Sequence, residues 1–407
     1  MNATKHGVKG RVYLTDEQVP AAARQFGCSR FVYNHLLEFS RTRYFTNKTK
    51  TSAKDRSLEL TRLKTEVQWL NEVNAQSLQQ TGRALDTAYK NWFDSITGKR
   101  SDKIKPPKFK KKSKRQSARF TRGSFSFENG VLSLSKIGDI HIPWYRRVKG
   151  EPSSVVLSMT PSGWYHVSFQ VEQPLRAVGS ASGRVSVDIN TKTFNFFNGR
   201  TWSHVALPRP LLGALSRLRT AQKHFSRCIK GSKNREKTRL KVAKIHQRVA
   251  DIRTDFLQKL STQLVHENQV ILVETLRTKN MLKNRRLARA ISDAGFGDFV
   301  RMLEYKCRWY GRTLVKVDTF FPSSKRCCIC HQKNAELKLQ NAWTCSNCNT
   351  EHQRDENAVV NIFVEGLRIL AEGRSVSACG ATVRLRREPK RAAVKQETSL
   401  ETSSHAA

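Results

Sequence analysis

Four cysteines and one aspartate near the C-terminal end carry the most specific chemical pattern in the chain. Two residues separate Cys327 from Cys330, and after a further fourteen residues Cys345 and Cys348 repeat the spacing. Paired knuckles of this kind bring four thiolates to tetrahedral reach, the composition of a closed structural zinc site. Four buried free thiols are the plainer reading, but free thiols seldom gather on two polar turns. Asp355 follows seven residues after the last cysteine. From Asn357 to Leu370 apolar residues recur at Val359, Ile362, Phe363, Leu367 and Leu370, close to helical period. Asp355 stands four residues before Val359, so it is expected on the inward face of the first turn. A carboxylate there either caps the helix or meets a cation.

A metal at Asp355 needs partner carboxylates, and acids are scarce in this chain. Lys and Arg number 74 against 33 Asp and Glu, a formal charge of +41. Val185, Val187 and Ile189 alternate with Ser186 and Asp188, which turns Asp188 to the opposite side of a strand from the aliphatics. Val270-Ile271-Leu272-Val273 is a continuous apolar run ending in Glu274. It reads as a buried central strand with its acid at the C-terminal edge, where substrate sites commonly lie. Asp188, Glu274 and Asp355 together offer the oxygen ligands of a hard divalent cation. Two Mg²⁺ ions about 4 Å apart can activate a water and stabilise the leaving 3′ oxygen of a phosphodiester. Without metal, three converging carboxylates would repel that phosphate.

The elements that position these residues occupy a chain of 407 residues, long enough for two to four modules. So large a positive charge repels itself unless a polyanion neutralises it, and nucleic acid is the obvious polyanion. The charge is concentrated in stretches. Between Lys99 and Arg122 there are twelve basic residues and one acid, with Phe109 and Phe120 interleaved. Between Arg217 and Arg248 there are again twelve basic residues and one acid. No window is long and apolar enough to cross a membrane, and no signal peptide is expected. The other five cysteines (Cys28, Cys228, Cys307, Cys328 and Cys379) form no disulfide framework, so a reducing cytoplasm fits best.

In chain order, a strand around Val8 to Leu14 precedes a helix introduced by Thr15-Asp16-Glu17. Leu58 to Phe93 is mostly helical, broken near Trp69 to Val73, and its closing aromatics are read as core in preference to base-stacking platforms. Phe125 to Gln170 alternates between turn signals at Asn129-Gly130, Gly138-Asp139 and Ser162-Gly163, the mark of antiparallel strands that could close a barrel with the N-terminal strand. Glu172 to Gly183 reads as a linker, Phe194 to Gly199 as a hairpin strand, and Pro210 to His266 as helical with a break near Gly231-Ser232. Ser292 to Gly297 looks flexible, and a helix from Phe299 to Tyr310 leads to a strand through Val315 and Val317.

The order strand-Asp, strand-Glu, helix-Asp resembles an RNase H-like (RuvC) nuclease. More narrowly, the chain resembles the TnpB family of RNA-guided endonucleases carried by insertion sequences, which are related to compact type V CRISPR effectors. The matching blocks are Arg30-Phe31-Val32-Tyr33-Asn34, Leu85 to Phe93, Lys105-Pro106-Pro107-Lys108-Phe109, Glu274-Thr275-Leu276 with Asn280-Met281, Ser292 to Gly297, and Ser323 to Ile362. The resemblance implies a multidomain α+β fold. Residues 1–14 with 100–178 would form a wedge-like β-barrel, and 15–99 an inserted helical recognition lobe. Residues 179–322 with 351–370 would form the RuvC nuclease, 323–350 a zinc-ribbon module, and 371–407 a disordered basic tail.

The same resemblance implies an RNA-guided DNA endonuclease acting beside a short motif, with Asp188, Glu274 and Asp355 catalytic and binding Mg²⁺. Structural Zn²⁺ would sit on Cys327, Cys330, Cys345 and Cys348. Its partners would be a guide RNA from the element's end and double-stranded target DNA, with a monomer in the prokaryotic cytoplasm. Gln79, Thr121 and Arg122 fall where relatives read the adjacent motif, and Lys108 and Lys110 are candidate phosphate contacts. Residues 280–297 would form a mobile lid. The chain departs from the family pattern at Asn190, where Gly is usual and a side chain would crowd the site, and at Ser186. His331 and Asn349 replace the glycines after each cysteine pair, and Gln353 stands where Asp is common. A nuclease-inactive guided repressor and a transposase or accessory transposition protein stay open as alternatives.

Overall fold

The computed structural model describes residues 3–100, 102–174, 179, 181–337, 340–373 and 376–377. Most of the tail read as disordered beyond residue 370, and part of the expected linker, lie outside them. β1 (Ala3–Val12) leads into three helices, α1 (Gln18–Asn47), α2 (Ala53–Glu66) and α3 (Ala75–Ile96). Six strands follow: β2 (Gln116–Thr121), β3 (Phe125–Glu128), β4 (Val131–Leu134), β5 (Gly138–His141), β6 (Pro152–Met159) and β7 (Tyr165–Pro174). Local chemistry sets the helix starts. Ser52 and Asp55 form a reciprocal capping box on α2, and Asn74 accepts the Ser77 N–H at 2.8 Å at the start of α3.

The strands of this first half pair as two sheets, β1-β7-β6-β2 and β3-β4-β5. Phe120, Leu157, Val167 and Phe169 from the first meet Leu132, Leu134 and Ile140 from the second in one core. The expected barrel is therefore two sheets over a shared core, and among the described residues no ladder closes them into a ring. Each of β3, β4 and β5 has four residues, too short to run alongside β6 and β7, which have eight and ten.

The three helices bury a separate core of Val32, Leu36, Leu60, Leu70, Leu78 and Leu85. Of the aromatics that close α3, Tyr89 packs against this core as the sequence suggested, and Trp92 and Phe93 do not join it. Phe93 is 44% exposed, and Tyr89 and Trp92 are half-buried. Their turns of helix extend past the last leucine of the core, where α1 and the Pro106-Pro107 segment leave an open cleft.

The second half contains β8 (Gly183–Ile189), β9 (Thr193–Phe197), β10 (Trp202–Ala206), α4 (Pro210–Arg227), α5 (Lys233–Glu267) and β11 (Asn268–Glu274). Then come α6 (Thr278–Met281), α7 (Ala288–Ala294), α8 (Phe296–Tyr310), β12 (Thr313–Val317), β13 (Ala342–Thr344), β14 (Glu351–Gln353), α9 (Arg354–Ala371) and β15 (Val376–Ser377). One sheet runs β10-β9-β8-β11-β12-β15. The first three strands are antiparallel, β8, β11 and β12 are mutually parallel, and β15 returns antiparallel on β12.

Both faces of this sheet are covered, so its strands alternate which core they serve. Val185, Val187, Ile189, Ile271 and Val273 pack on α5 and α8 through Leu257, Leu264, Phe299 and Leu303. The opposite side chains, Val270, Leu272, Val315 and Val317, pack on α9 through Ile362 and Leu367. Residues 292–297, read as flexible, are helical apart from the left-handed Gly295 and anchored: the Asp293 carboxylate accepts the Leu211 N–H at 3.0 Å and caps α4, and Ala294 and Phe296 are buried.

Helix α9 lies close on the sheet at Gly366. A Cβ there would lie 2.9 Å from Leu272 Cδ2 and 3.0 Å from its Cβ. Valine at 366 must push α9 off β11, so Gly366→Val is expected to lower stability by about 1–3 kcal/mol. Denaturant melts of the two proteins measure this, and an unchanged midpoint would contradict the close approach.

Candidate metal centre

Strands β8 and β11 are in register with Val187 opposite Val273, so Asp188 and Glu274 come next, abreast at the strands' C-terminal ends. Both belong to the face that packs on α9. Ser186, two residues before Asp188, donates its hydroxyl to the Val359 carbonyl of α9 at 2.7 Å. Leu272, two before Glu274, is the side chain beneath Gly366. Asp355 lies in the first turn of α9, after Gln353 as the N-cap residue. It makes no side-chain cap, and it is exposed, not buried inward as its spacing from Val359 suggested. From the first turn of α9 that carboxylate meets solvent and also acts on Asp188.

The three carboxylates interact as like charges. Asp188 is 7% exposed, and its carboxyl is pushed up to about 6, first by burial and then by the Asp355 charge. Glu274 is raised to about 7, again by burial first and then by Asp188. None of the three makes a salt bridge among the described residues. The Arg354 charge offsets part of the Asp188 shift without pairing with it, and buried acids left without a salt-bridge partner have the chemistry of an oxygen-ligated divalent ion site. The acids are less tightly gathered than the thiols. The four cysteines are the one group of three or more ligating side chains, among the described residues, whose ligand atoms all lie within 4.8 Å of one another.

Two amides steer Asp188. Asn190 Nδ2 donates to Asp188 Oδ2 at 3.1 Å, and Asn195 Nδ2 reaches the same oxygen at 3.4 Å. Asn190 was expected to crowd the site; its amide instead bonds the carboxylate and leaves Oδ1 free of both. Asn195 escaped the sequence reading. It faces Asp188 across the β8–β9 ladder and is 1% exposed, and the available signal was a polar residue set between Phe194 and Phe196 in a short strand.

The cysteine module sits against the same helix. Cys327 and Cys348 sulfurs are 3.6 Å apart, as are Cys330 and Cys345. A tetrahedral ion with sulfurs at about 2.3 Å spaces them about 3.8 Å apart, so the four thiols fit a structural zinc ion. Hydrogen bonds from the Asn347 side chain and the Gln332 backbone pull Cys330 down to about 6, which favours the ligating thiolate. Each knuckle closes through a residue in the left-handed region, His331 at φ 63° and Asn349 at φ 53°, whose N–H groups bond the Cys327 and Cys345 carbonyls. His352 Nε2 lies 3.0 Å from the Cys327 sulfur, a contact the cysteine spacing did not suggest.

Asn357 and Asn361, one turn apart on the buried face of α9, fasten the module to the helix. The Asn357 carbonyl accepts the Cys328 N–H at 2.9 Å, and both amides donate to the Arg326 carbonyl, at 2.8 and 2.5 Å. Two asparagines at helical spacing on an apolar face were a legible signal of a buried polar dock. The sequence reading passed over them.

The candidate nucleic-acid contacts are spread over the first half. Gln79 is exposed and lines a cleft of about 650 Å³ between α2 and α3. Thr121 approaches the same helix one turn earlier, its hydroxyl 3.3 Å from Gln76 Oε1. Arg122 pairs with Glu151 at 3.5 Å, both exposed. Lys108 is exposed, whereas the Lys110 ammonium lies 3.9 Å from the centre of the Tyr33 ring and its backbone bonds Asn34. Lys110 is thus held against α1, which competes with any phosphate role.

Three family models match the chain: "Helix-turn-helix domain" over residues 1–49, "Probable transposase" over 166–285 and "Cas12f1-like, TNB domain" over 296–362. Residues 1–49 fold here as β1 and the single helix α1. A Streptomyces pristinaespiralis protein named "Putative RNA-guided DNA endonuclease" is 40% identical over 99% of this chain and 98% of its own length. The Escherichia coli K12 protein "Putative RNA-guided DNA endonuclease InsQ" is 29% identical over 80% of this chain and 82% of its own. Among solved structures, CasPhi-2 (Cas12j) bound to crRNA superposes loosely, with a TM-score of 0.41 at 9% identity over 90% of this chain and 98% of its own.

Two outcomes test the site. In divalent-free buffer Asp188 and Glu274 titrate near 6 and 7 when folded, against roughly 4 in an unfolded chain. Their contribution to stability is therefore full below about pH 4 and is lost as pH rises through the folded values. Asp188→Asn should lose less melting temperature than the parent between about pH 5 and pH 8, and Mg²⁺ should raise the parent's melting temperature more at pH 8 than at pH 6. Identical pH profiles would contradict the burial and charge coupling. For the knuckles, His331→Gly removes a left-handed non-glycine residue and should stabilise the zinc-loaded protein by about 1 kcal/mol in thermal melts.

Proposed function

The chain belongs to the TnpB family of insertion-sequence-encoded RNA-guided endonucleases, and we propose that it is itself a Mg²⁺-dependent, RNA-guided DNA endonuclease. We assign Asp188, Glu274 and Asp355 as the ligands of the catalytic metal. The observation that carries this reading is the pair of raised carboxylates, abreast on parallel strands, with a third acid at the start of the covering helix; Arg354 offsets part of the Asp188 shift but forms no salt bridge with any of the three. The strand order and directions of that sheet support an RNase H-like reading of 179–322 with 351–370. We further assign 323–350 to a zinc-ribbon module, 15–99 to a recognition lobe, and 1–14 with 100–178 to a wedge-like domain.

When bound, the metal supplies Lewis acidity at the scissile phosphate and an activated water. The protein's part is to hold the carboxylates still. Asn190 and Asn195 both donate to Asp188 Oδ2, which would leave Oδ1 as the oxygen to hold the ion. Ser186 ties β8 to α9, which fixes how far Asp355 stands from the strand ends. Asn357 and Asn361 fix the other side of that helix to the cysteine module. Guide–target pairing supplies sequence specificity in such enzymes, so the protein needs a basic surface for backbones more than base-reading side chains. The twelve basic residues from Arg217 to Arg248, on α4, α5 and the turn between them, fit that need. A nuclease-inactive repressor is disfavoured because Asn190 supports Asp188.

The test is plasmid cleavage by protein purified with co-expressed RNA. Cutting should require Mg²⁺ and match the RNA's variable end. Asp188→Ala, Glu274→Ala and Asp355→Ala should each reduce it by at least about a hundredfold while leaving RNA co-purification intact. Guided cutting that survives any of the three substitutions would remove that residue from the site.

A further inference from the structure

An open cleft of about 620 Å³ lies in the helical lobe, away from the carboxylates and the cysteines. Its walls come from the C-terminal half of α1, the loop after it, the last turns of α3 and the Pro106-Pro107 strap. Aromatic rings dominate. Tyr44 and Phe45 stand on α1, and Tyr89, Trp92 and Phe93 on α3, with Trp92 and Phe93 centroids 4.9 Å apart. Phe45 is 69% exposed, Tyr44 48% and Phe93 44%. Single exposed apolar residues need no explanation, but a contiguous exposed aromatic cluster marks a binding surface.

The cleft is preformed, because its arginines are already committed to its walls. Arg56 bonds Asp86 at 2.5 Å and the Thr51 carbonyl at 3.0 Å, and lies 5.3 Å from the Tyr89 ring centre. Arg41 bonds the Pro107 carbonyl at 2.8 Å and lies 5.0 Å from the Phe109 ring centre. Two polar groups are left over. Lys50 takes part in no ion pair among the described residues, and the buried Thr51 hydroxyl has no hydrogen-bond partner. Stacking rings, a free cation and a spare hydroxyl, in a chain of net charge +41, match an unpaired nucleotide: a flat base, a phosphate and a base edge or sugar hydroxyl.

We propose that this cleft binds an unpaired nucleobase of a bound polynucleotide, stacked against Phe45 and Phe93 with Lys50 at its phosphate. The inference needs only that the chain binds single strands, so it stands apart from the cleavage chemistry. The source of the base, RNA or displaced DNA, is left to the experiment.

Fluorescence anisotropy on the full chain would use labelled oligo(rU) and oligo(dT) of about 12 nucleotides, and a DNA hairpin duplex of matching charge. The salt is raised until non-specific attraction is weak. Phe45→Ala with Phe93→Ala should weaken single-strand binding about tenfold or more, with the salt slope and the duplex affinity unchanged. Phe45→Trp with Phe93→Trp should retain the parent's affinity. Loss confined to oligo(rU) assigns the cleft to RNA, loss confined to oligo(dT) to DNA, and loss on both to either strand. Unchanged single-strand binding, or an equal loss on the duplex, overturns the proposal and leaves the cleft to a protein partner. Photocrosslinking of a 4-thiouridine oligomer to the parent checks the result without mutation. Adducts on residues 44–51 or 89–93 support it, and adducts found only elsewhere overturn it. Because no guided cutting is read, failure here and failure of the endonuclease reading remain distinguishable.

Discussion

Repulsion between carboxylates organises the second half of this molecule. Asp188 and Glu274 emerge side by side from parallel strands, one buried and one half-buried; burial raises both, the Asp355 charge adds to Asp188, and the Asp188 charge adds to Glu274. A fold gains nothing from such a pair in isolation, since burying unpaired charge is costly. The surrounding structure nonetheless works to keep the acids together. Two amides bond Asp188, a serine ties its strand to α9, and that helix delivers a third acid to the same strand ends. An arrangement that opposes stability in this way belongs to chemistry in preference to folding.

Helix α9 is the strut on which that arrangement depends. Gly366 lets it lie close on β11, Ile362 and Leu367 bury its lower turns, and Asn357 and Asn361 bind it to the cysteine knuckles. A small zinc-type module cannot build a large core, so metal ligation must supply much of its rigidity. Rigidity at the knuckles passes directly to the first turn of α9 through two buried amides. The cysteine site and the acidic site therefore act as one mechanical unit, although they share no ligand.

The first half does different work. Among the described residues its two sheets and three helices hold no ligand cluster like the cysteines; they present basic loops, an exposed Gln79 and a cleft walled by aromatic rings. Long-range attraction from a charge of +41 gathers polyanions without regard to sequence. On the proposal made for it, the aromatic cleft in this half would add shape and stacking, which charge alone does not supply.

Much of this was legible in the residues themselves. Cysteine spacing announced a tetrahedral site because thiolate geometry is local to each knuckle, and His331 and Asn349 take the left-handed turns their positions required. Alternation along β8 and the apolar run of β11 named Asp188 and Glu274, since strand period is a property of the backbone. Other features depended on distance in three dimensions. Asn190 reads as an intruder in sequence and is a hydrogen-bond donor in the fold; Asp355 reads as inward-facing and is exposed. Tyr89 reads as core and packs on it, whereas Phe93 reads as core and stands open, because periodicity tells which residues share a face but not whether another element arrives to cover it. Local pattern determined the chemistry available to the chain. Only packing between elements far apart in sequence decided which of those groups would meet and which would be left free to bind.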